Sequence, residues 1–282
     1  MIHSTKILGV ALVATLALAG CKSGGEAGGD TKTGDASHTG DMSKTGDMSK
    51  TGDMGKTGDM GTGTAAAGGA KSTLTASVMF TGTAPTPAKL KREADPFCGK
   101  KPMTSEEVLV KDGKLANVLV RVKDATGSFT APATAATVDQ HDCMYRPRVQ
   151  GVVAGQSIEV KNSDGTGHNV HTYKGDETLF NRAQPTVGSF TKKGDEIGVK
   201  EGPIQFKCDI HPWMTGYVVV NTNPFFAVTD ETGMAKIELP AGKYTLEAWH
   251  EKFGVKTAEV TVEEGKPAEV KFEYAGTEKS GS

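Results

Sequence analysis

Residues 22–71 contain no Ile, Leu, Val, Phe, Tyr or Trp, and this absence restricts where the 282-residue chain can fold. A segment without these side chains cannot bury enough apolar surface to offset the entropy lost on ordering. The hexads TGDMSK, TGDMSK, TGDMGK and TGDM recur within it from Thr39. A Gly- and Asp-rich hexad has no apolar face to stack, so residues 21–71 are predicted to be a disordered linker. The tail, residues 276–282, is predicted to be disordered as well.

Residues 1–20 precede this linker and carry the apolar run ILGVALVATLALAG. The run is too short to span a bilayer comfortably and is typical of the core of a signal peptide. It ends in LAGC, which resembles a bacterial lipoprotein signal. The resemblance implies that Cys21 carries lipid and that the protein lies in the cell envelope, in the periplasm or anchored to the outer membrane. An ordinary secretory signal with an unmodified Cys21 is the alternative.

The remaining residues are numerous enough for one or two domains. The charges of the chain nearly balance, with 32 Lys and Arg against 34 Asp and Glu, so nothing indicates a nucleic-acid-binding surface. The sequence contains no phosphate-binding loop, nucleophile elbow or dinucleotide-binding fingerprint.

Strand patterns dominate the part of the chain that can fold. Gly-containing turns separate short runs rich in β-branched and aromatic residues. Nine runs are predicted to be strands: 73–80, 115–123, 157–162, 203–208, 216–221, 235–240, 243–249, 256–263 and 268–274. No stretch shows a 3.6-residue apolar period over ten or more residues. The fold class is therefore predicted to be all-β, built from sandwiches.

The stretch KCDIHPWM brings Cys208, His211 and Met214 together just after an alternating apolar run. Thiolate, imidazole and thioether are soft ligands that suit copper, whereas structural zinc is usually held by Cys and His alone. A mononuclear blue-copper site uses two His, one Cys and a weak axial Met, so a second His must come from elsewhere. The segment VKNSDGTGHNVHTY offers His168 and His171. Without a metal, Cys208 would be a buried thiol.

The order of a strand, an N-x-D turn, HNV, a long segment, another strand and C-x-x-H-x-x-M resembles the cupredoxins, the family of plastocyanin and amicyanin. The resemblance covers about residues 124–222 and implies a Greek-key sandwich that binds one copper ion. It assigns the ligands to four residues: His168, Cys208, His211 and Met214. It also implies that Asn169 braces the ligand loop. His171 is the alternative to His168, and strand alternation places the two on opposite faces.

The same resemblance implies that the ring edge of His211 is the electron port. Pro212 and Trp213 would then help to form an apolar patch where redox partners dock, with simple packing as the alternative for Trp213. Four protein ligands leave no open position for a substrate, so we expect no enzyme activity.

The function implied is that of a lipid-anchored one-electron carrier that cycles between Cu(II) and Cu(I). Its partners would be redox proteins such as a cytochrome or a membrane oxidoreductase. Copper storage or delivery with the same ligands is one alternative. A binding or structural sandwich with a degenerate copper site is the other.

Residues 223–275 carry a TD-x-x-G turn and the hairpin LPAGKYTL, which resemble carboxypeptidase-regulatory-like, or transthyretin-like, domains. This segment is short for a self-sufficient sandwich. Residues 72–123 look like the opening strands of the same fold. We therefore expect a discontinuous sandwich of residues 72–123 and 223–275, with the cupredoxin inserted in it or packed beside it.

Three cysteines remain once Cys21 is assigned to lipid. An exported chain permits disulfides, so Cys98 and Cys143 are the natural pair if Cys208 binds metal. Such a bond would tie the two modules together, and two unpaired thiols are the alternative. His141 and His250 are expected to be surface groups.

Overall fold

The structure is a computed structural model and describes residues 70–278. The predicted signal peptide, the predicted lipidation site Cys21, nearly all of the predicted linker and the end of the tail lie outside the described residues. Residues 70–278 form 18 strands, a four-residue α-helix and a short 3-10 helix, so the all-β prediction is confirmed. Within this range, no helix has the length and apolar character needed to cross a membrane.

The elements follow one another along the chain as a series of mostly short strands. In chain order they are β1 (Lys71–Phe80), a 3-10 turn (Cys98–Lys100), β2 (Val110–Lys111), β3 (Lys114–Leu115), β4 (Leu119–Val122), β5 (Ala136–His141), β6 (Met144–Arg146), β7 (Val149–Val153), β8 (Ile158–Asn162), β9 (His168–Lys174), β10 (Glu177–Gln184), β11 (Gly188–Lys192), α1 (Gly194–Ile197), β12 (Gly202–Lys207), β13 (Thr215–Asn221), β14 (Phe226–Val228), β15 (Met234–Pro240), β16 (Gly242–His250), β17 (Gly254–Val262) and β18 (Ala268–Tyr274).

These strands pair into four sheets. Sheet 1 has the order β15–β1–β3–β2, with β18 also paired to β1, and sheet 2 has the order β14–β4–β16–β17. Sheet 3 runs β10–β9–β12–β13–β7, and sheet 4 runs β11–β8–β5–β6. Sheets 1 and 2 thus combine strands from residues 71–122 with strands from 226–274, whereas sheets 3 and 4 are built within 136–221. A discontinuous sandwich requires this pairing, although the division into separate domains stays a prediction.

Side-chain alternation creates apolar layers on both faces of sheets 2 and 3. In β4, Val120 belongs to the core between sheets 1 and 2, while its neighbour Leu119 packs in the opposite direction with Val219. In β13, Val218 and Val220 belong to the core between sheets 3 and 4. Strands covered on both faces read as continuous apolar runs, which explains the sequence VVV in β13.

Sheets 2 and 3 also meet through charge and close backbone approach. Arg148 after β6 binds Glu251 after β16 through two nitrogens, at 2.5 and 2.7 Å. Both side chains are buried, so removing either partner would leave an unpaired buried charge and cost about 3–5 kcal/mol. A side chain at Gly151 would overlap the ring of Phe226. Glycine at this position therefore permits the observed sheet separation.

The predicted strand 115–123 is wrong in extent, since the structure divides it into β3 and β4. Asn117 lies between them with a φ of 60°, a left-handed conformation that interrupts a strand. Its N–H donates to the carbonyl of Thr229 at 3.1 Å. The chain thereby leaves sheet 1 and enters sheet 2.

The expectation that His250 lies at the surface is also wrong. His250 is fully buried, and its ring stacks on Phe253 with 4.7 Å between the ring centroids. Its Nδ1 accepts the N–H of Lys252 at 3.1 Å, whereas its Nε2 has no hydrogen-bond partner among the described residues. Burial, reinforced by the charges of Arg148 and Lys252, lowers the pKa of His250 to about 4. His141, in contrast, is exposed as expected.

We predict that His250 makes the fold sensitive to acid. Its pKa falls from 6.5 in the unfolded chain to about 4 in the folded protein. Between these pH values only the unfolded chain binds the proton, so the free energy of unfolding decreases as the pH falls. The decrease amounts to at most about 1.4 kcal/mol per pH unit and ends below the folded pKa.

Urea unfolding of the metal-free protein across this pH range measures the effect. His250→Gln should flatten the pH dependence, whereas His141→Gln, which removes an exposed imidazole, should leave it unchanged. Equal slopes in the wild type and His250→Gln would contradict the assignment.

Candidate metal centre

Two neighbouring strands of sheet 3, β9 and β12, place the first two candidate ligands at the same end of the sheet. β9 begins at His168, and β12 ends one residue before Cys208. The two strands are antiparallel, with His171 opposite Lys207. The start of one strand therefore lies beside the end of the other. Sheet register thus brings His168 and Cys208 close together although 39 residues separate them in sequence.

The loop from Cys208 to Met214 closes on itself through backbone hydrogen bonds. The N–H of Cys208 donates to the carbonyl of Met214 at 3.3 Å, and the N–H of Met214 donates to that of His211 at 2.9 Å. All three side chains are at most 2% exposed. The loop thus turns its thiol, imidazole and thioether residues toward the interior.

His168, Cys208 and His211 form one compact cluster, with their candidate ligand atoms all within 4.8 Å of one another. The Nδ1 atoms of the two imidazoles lie 2.9 Å apart. The Sγ of Cys208 lies 3.8 Å from Nδ1 of His211. Each of the three residues is at most 2% exposed, so the cluster is shielded from bulk solvent.

The outer nitrogen of each imidazole faces a carboxylate. Nε2 of His168 lies 2.9 Å from Oδ2 of Asp164, and Nε2 of His211 lies 3.1 Å from Oδ2 of Asp95. An ionised carboxylate only accepts hydrogen bonds, so each Nε2 carries a proton and donates it. Each Nδ1 is then the atom with a free lone pair in the neutral imidazole. Two lone pairs that face each other at this distance require a cation between them.

The pKa values describe how the metal-free cluster supplies that cation. Burial alone would lower the pKa of His168, but hydrogen bonds to Asp164 and Cys208 outweigh it and raise the pKa to about 9. Burial would likewise raise the pKa of Cys208, but hydrogen bonds from His168, His211 and Asn169 lower it to about 6. Near neutral pH a thiolate therefore lies beside the His168 imidazolium, whose additional proton is the cation of the metal-free cluster.

The donor set fits a soft metal ion in place of that proton. Separations of 2.9 and 3.8 Å between donor atoms are compatible with one shared ion at bond lengths of roughly 2.0–2.3 Å, as found for imidazole and thiolate ligands. Met214 is fully buried in the same apolar cluster as Cys208. Two imidazoles, a thiolate and a nearby methionine are a set that favours copper.

His171, the alternative upstream ligand, lies outside this cluster. Its Nδ1 is 3.1 Å from both carboxylate oxygens of Asp209, and its Nε2 is 3.0 Å from Thr178. Its ring stacks on Tyr173. Strand alternation turns His171 to the opposite face from His168, and the structure gives it partners there.

Asn169 and Tyr145 hold the cluster from behind. Oδ1 of Asn169 accepts the N–H of Asp209 at 2.7 Å and lies 3.4 Å from the Sγ of Cys208. The buried hydroxyl of Tyr145 lies 2.8 Å from the carbonyl of Asn169 and 3.0 Å from that of Lys207. Tyr145 thus joins β9 to β12, the two strands that lead to His168 and Cys208.

The ring edge of His211 is not exposed, in contrast to the expected electron port. His211 is 2% exposed, and Asp95 covers its outer nitrogen. Trp213 packs against His211 with ring centroids 5.0 Å apart, and its Nε1 donates to the carbonyl of Cys143 at 3.1 Å. Pro212 is exposed beside them. Apolar surface is present here, but it surrounds a covered histidine.

Cys98 and Cys143 form a disulfide in the structure. Cys98 lies in the 3-10 turn between β1 and β2 of sheet 1, and Cys143 lies in the turn between β5 and β6 of sheet 4. The Sγ of Cys98 is 3.8 Å from Nε2 of His211. Two further groups have candidate ligand atoms within 4.8 Å of one another: Asp95, Cys98 and His211, and Cys143, Asp164 and His168. Because both cysteines are oxidised, neither supplies a thiolate for a second ion.

Asp164 and Asp95 are the residues that the sequence analysis missed. Asp164 had a visible signal, since Asn162 and Asp164 form the N-x-D turn, in which Oδ1 of Asn162 accepts the N–H of Asp164 at 3.0 Å. That turn places Asp164 four residues before His168 within the same loop. Asp95 had no such signal, because it reaches the site only through the fold of a distant segment.

Comparisons with known proteins concern about a third of the chain. No protein-family model and no curated relative matches it. A mutant of amicyanin in its Cu(I) form is 22% identical, covers 31% of this chain and 82% of its own, and has a TM-score of 0.27. A purple cupredoxin from Nitrosopumilus maritimus is 22% identical, with coverages of 30% and 99% and a TM-score of 0.27. A copper-containing nitrite reductase from Thermus scotoductus SA-01 is 21% identical, with coverages of 35% and 25% and a TM-score of 0.28.

We predict that the metal-free protein titrates a thiolate with a midpoint near pH 6, the pKa of Cys208. Above that pH the thiolate absorbs in the ultraviolet, and below it the absorbance is lost as the thiol forms. The difference spectrum between the wild type and Cys208→Ser isolates this residue from Cys21. A midpoint above pH 8 would contradict the hydrogen-bonded cluster.

Proposed function

We propose that the protein is a copper electron carrier. One copper ion would be held by four residues: His168, Cys208, His211 and Met214. The observation that supports this most directly is the pair of Nδ1 atoms 2.9 Å apart beside the Cys208 sulfur, in a cluster that is buried throughout. Lone pairs converge there on a point that only a cation can occupy, and the thiolate and thioether select a soft one.

Burial of the whole donor set favours a role in electron transfer over a role in catalysis. A catalytic metal keeps a coordination position open to substrate, whereas these four side chains would surround the ion. Copper, when bound, supplies a one-electron couple. The chain's part is to keep the donors fixed so that neither oxidation state requires large movement, and the bonds of Asp164, Asn169 and Tyr145 serve that purpose.

Docking of a redox protein is proposed at the groove beside His211. The groove measures about 620 Å³ and is lined mainly by apolar groups, with Lys91 at its border. The lining residues are Lys91, Ala94, Asp95, Pro96, Ile210, His211, Pro212 and Trp213. Ile210 is 58% exposed, so the groove offers apolar contact to a partner such as a cytochrome or a membrane oxidoreductase.

Lipid attachment at Cys21 would hold this carrier at a membrane of the cell envelope. The proposal rests on the LAGC sequence and on the long polar repeat that follows it. A tether of this composition would let the folded part move between membrane-bound partners.

Addition of Cu(II) to the metal-free protein is expected to give a strong visible absorption band and one bound ion. Cys208→Ser should abolish the band, because the thiolate is its source. His168→Ala should abolish or strongly change it. His171→Ala is the matched control, because it removes an imidazole three residues away on the other strand face, and the band should remain.

Voltammetry separates electron transfer from storage or delivery. A carrier gives a reversible one-electron wave, whereas a storage or delivery site that rearranges between Cu(II) and Cu(I) does not. A correctly folded wild type that stays colourless with Cu(II) would overturn the copper assignment. Loss of the band in His171→Ala, with retention in His168→Ala, would overturn the choice of ligand.

A further inference from the structure

Residues 89–104, here named the capping loop, cover the outer side of the metal centre. A bridge between Lys89 and Thr104 closes the base of this loop. The loop belongs to the N-terminal part of the described chain, between β1 and β2, yet it lies against the ligand residues of sheet 3. Its contact with the site therefore depends on tertiary structure rather than on the Cys208–Met214 loop.

Three interactions fasten the capping loop beside the site. The disulfide joins Cys98 to Cys143. Lys101 binds the carboxylate of Asp142 at 2.6 Å. Arg92, only 2% exposed, donates to the carbonyl of Asp142 from one nitrogen and to that of Lys101 from another. The loop is thus attached to the β5–β6 turn by covalent, ionic and hydrogen bonds.

Asp95 is the residue through which the capping loop reaches the candidate ligand. Its Oδ1 accepts the N–H groups of Phe97 at 2.7 Å and Cys98 at 2.9 Å. Its Oδ2 accepts the hydroxyl of Thr166 at 2.9 Å and the Nε2–H of His211 at 3.1 Å. Both oxygens are therefore fixed, and the side chain is only 18% exposed. The carboxylate has one orientation, with one oxygen committed to His211.

We propose that Asp95 is a positioning residue that lowers the reduction potential of the bound copper through His211, and that the Cys98–Cys143 disulfide holds it there. The inference deepens the proposed function and rests on it. A carboxylate that accepts the outer N–H of a ligating imidazole fixes the ring and raises its basicity. Reduction adds one electron to the ion, so the negative charge beside it favours the oxidised form. The carboxylate is only partly exposed, so salt screens its charge less than that of a surface carboxylate.

The disulfide contributes to this positioning because Cys98 contacts both Asp95 and His211. The N–H of Cys98 binds Asp95, and its Sγ lies 3.8 Å from Nε2 of His211. Without the bond, the capping loop loses its covalent attachment while the carboxylate remains in the sequence. Opening the bond should therefore mimic, in part, the removal of the carboxylate.

The test compares reduction potentials of the full-length copper-loaded protein by voltammetry. Asp95→Asn removes the negative charge and leaves one acceptor oxygen. The N–H groups of Phe97 and Cys98 keep that oxygen, so the amide NH₂ faces the Nε2–H of His211. We expect the equilibrium between Cu(II) and Cu(I) to move about tenfold toward Cu(I), which is a rise of about 59 mV for one electron. Glu93→Gln is the matched control, because Glu93 is an exposed carboxylate of the same loop whose one ion pair among residues 70–278 is with Lys89.

A second variant keeps the proposal testable if Asp95→Asn folds poorly. The double variant Cys98→Ala with Cys143→Ala should raise the potential in the same direction. Adding Asp95→Asn to it should raise the potential by less than the sum of the two effects, because both changes act on one contact. With copper in the Cu(I) state, the Nε2 proton of His211 should exchange with water faster in either variant than in the wild type. Nitrogen-15 NMR measures this exchange rate.

The outcomes separate this inference from the proposed function. If the wild type binds copper reversibly but Asp95→Asn shifts the potential no more than Glu93→Gln, Asp95 does not tune the site. A potential in the disulfide variant equal to that of the wild type, with an unchanged exchange rate, would likewise refute the role of the bond. If the wild type binds no copper, the proposed function fails first and this inference fails with it.

Discussion

The candidate metal centre depends on one constraint: the Nδ1 atoms of His168 and His211 face each other at 2.9 Å. Neutral imidazoles do not take this arrangement unaided, because their lone pairs repel. Asp164 fixes one ring and Asp95 fixes the other, each through the outer nitrogen. Both inner nitrogens are thereby committed to a shared cation, which is a proton in the metal-free cluster and a copper ion in the proposed functional state.

The four-sheet architecture maintains this unfavourable approach. Sheets 2 and 3 are covered on both faces, so the strands that carry His168 and Cys208 lie deep in the stack. Tyr145 joins those strands by contacting a carbonyl of each. The site is therefore held by the same packing that stabilises the sandwich, and the ligand loop itself needs few bonds of its own. The capping loop then completes the enclosure from a different part of the sequence.

The sequence predicted the elements whose signal is local. Alternating apolar runs indicated many of the strands that pack on the cores, although β5 and β7 were not among them. The spacing of Cys208, His211 and Met214 indicated the candidate ligand loop. Strands such as β10 and β11 were not predicted, because their mostly polar side chains carry no alternation. Asp95 and the burial of His250 depend on contacts between segments far apart in sequence. No local pattern reports such contacts, so the covered ring of His211 could not be predicted from the sequence.

X-ray absorption at the copper edge tests the shared-cation site most directly. The full-length protein with one equivalent of Cu(II) should show two imidazole nitrogens and one thiolate sulfur bound to the same ion. The sulfur contribution should vanish in Cys208→Ser and persist in His171→Ala. A copper environment of nitrogen and oxygen alone in the folded wild type would mean that the facing imidazoles and the Cys208 thiolate do not hold the metal together.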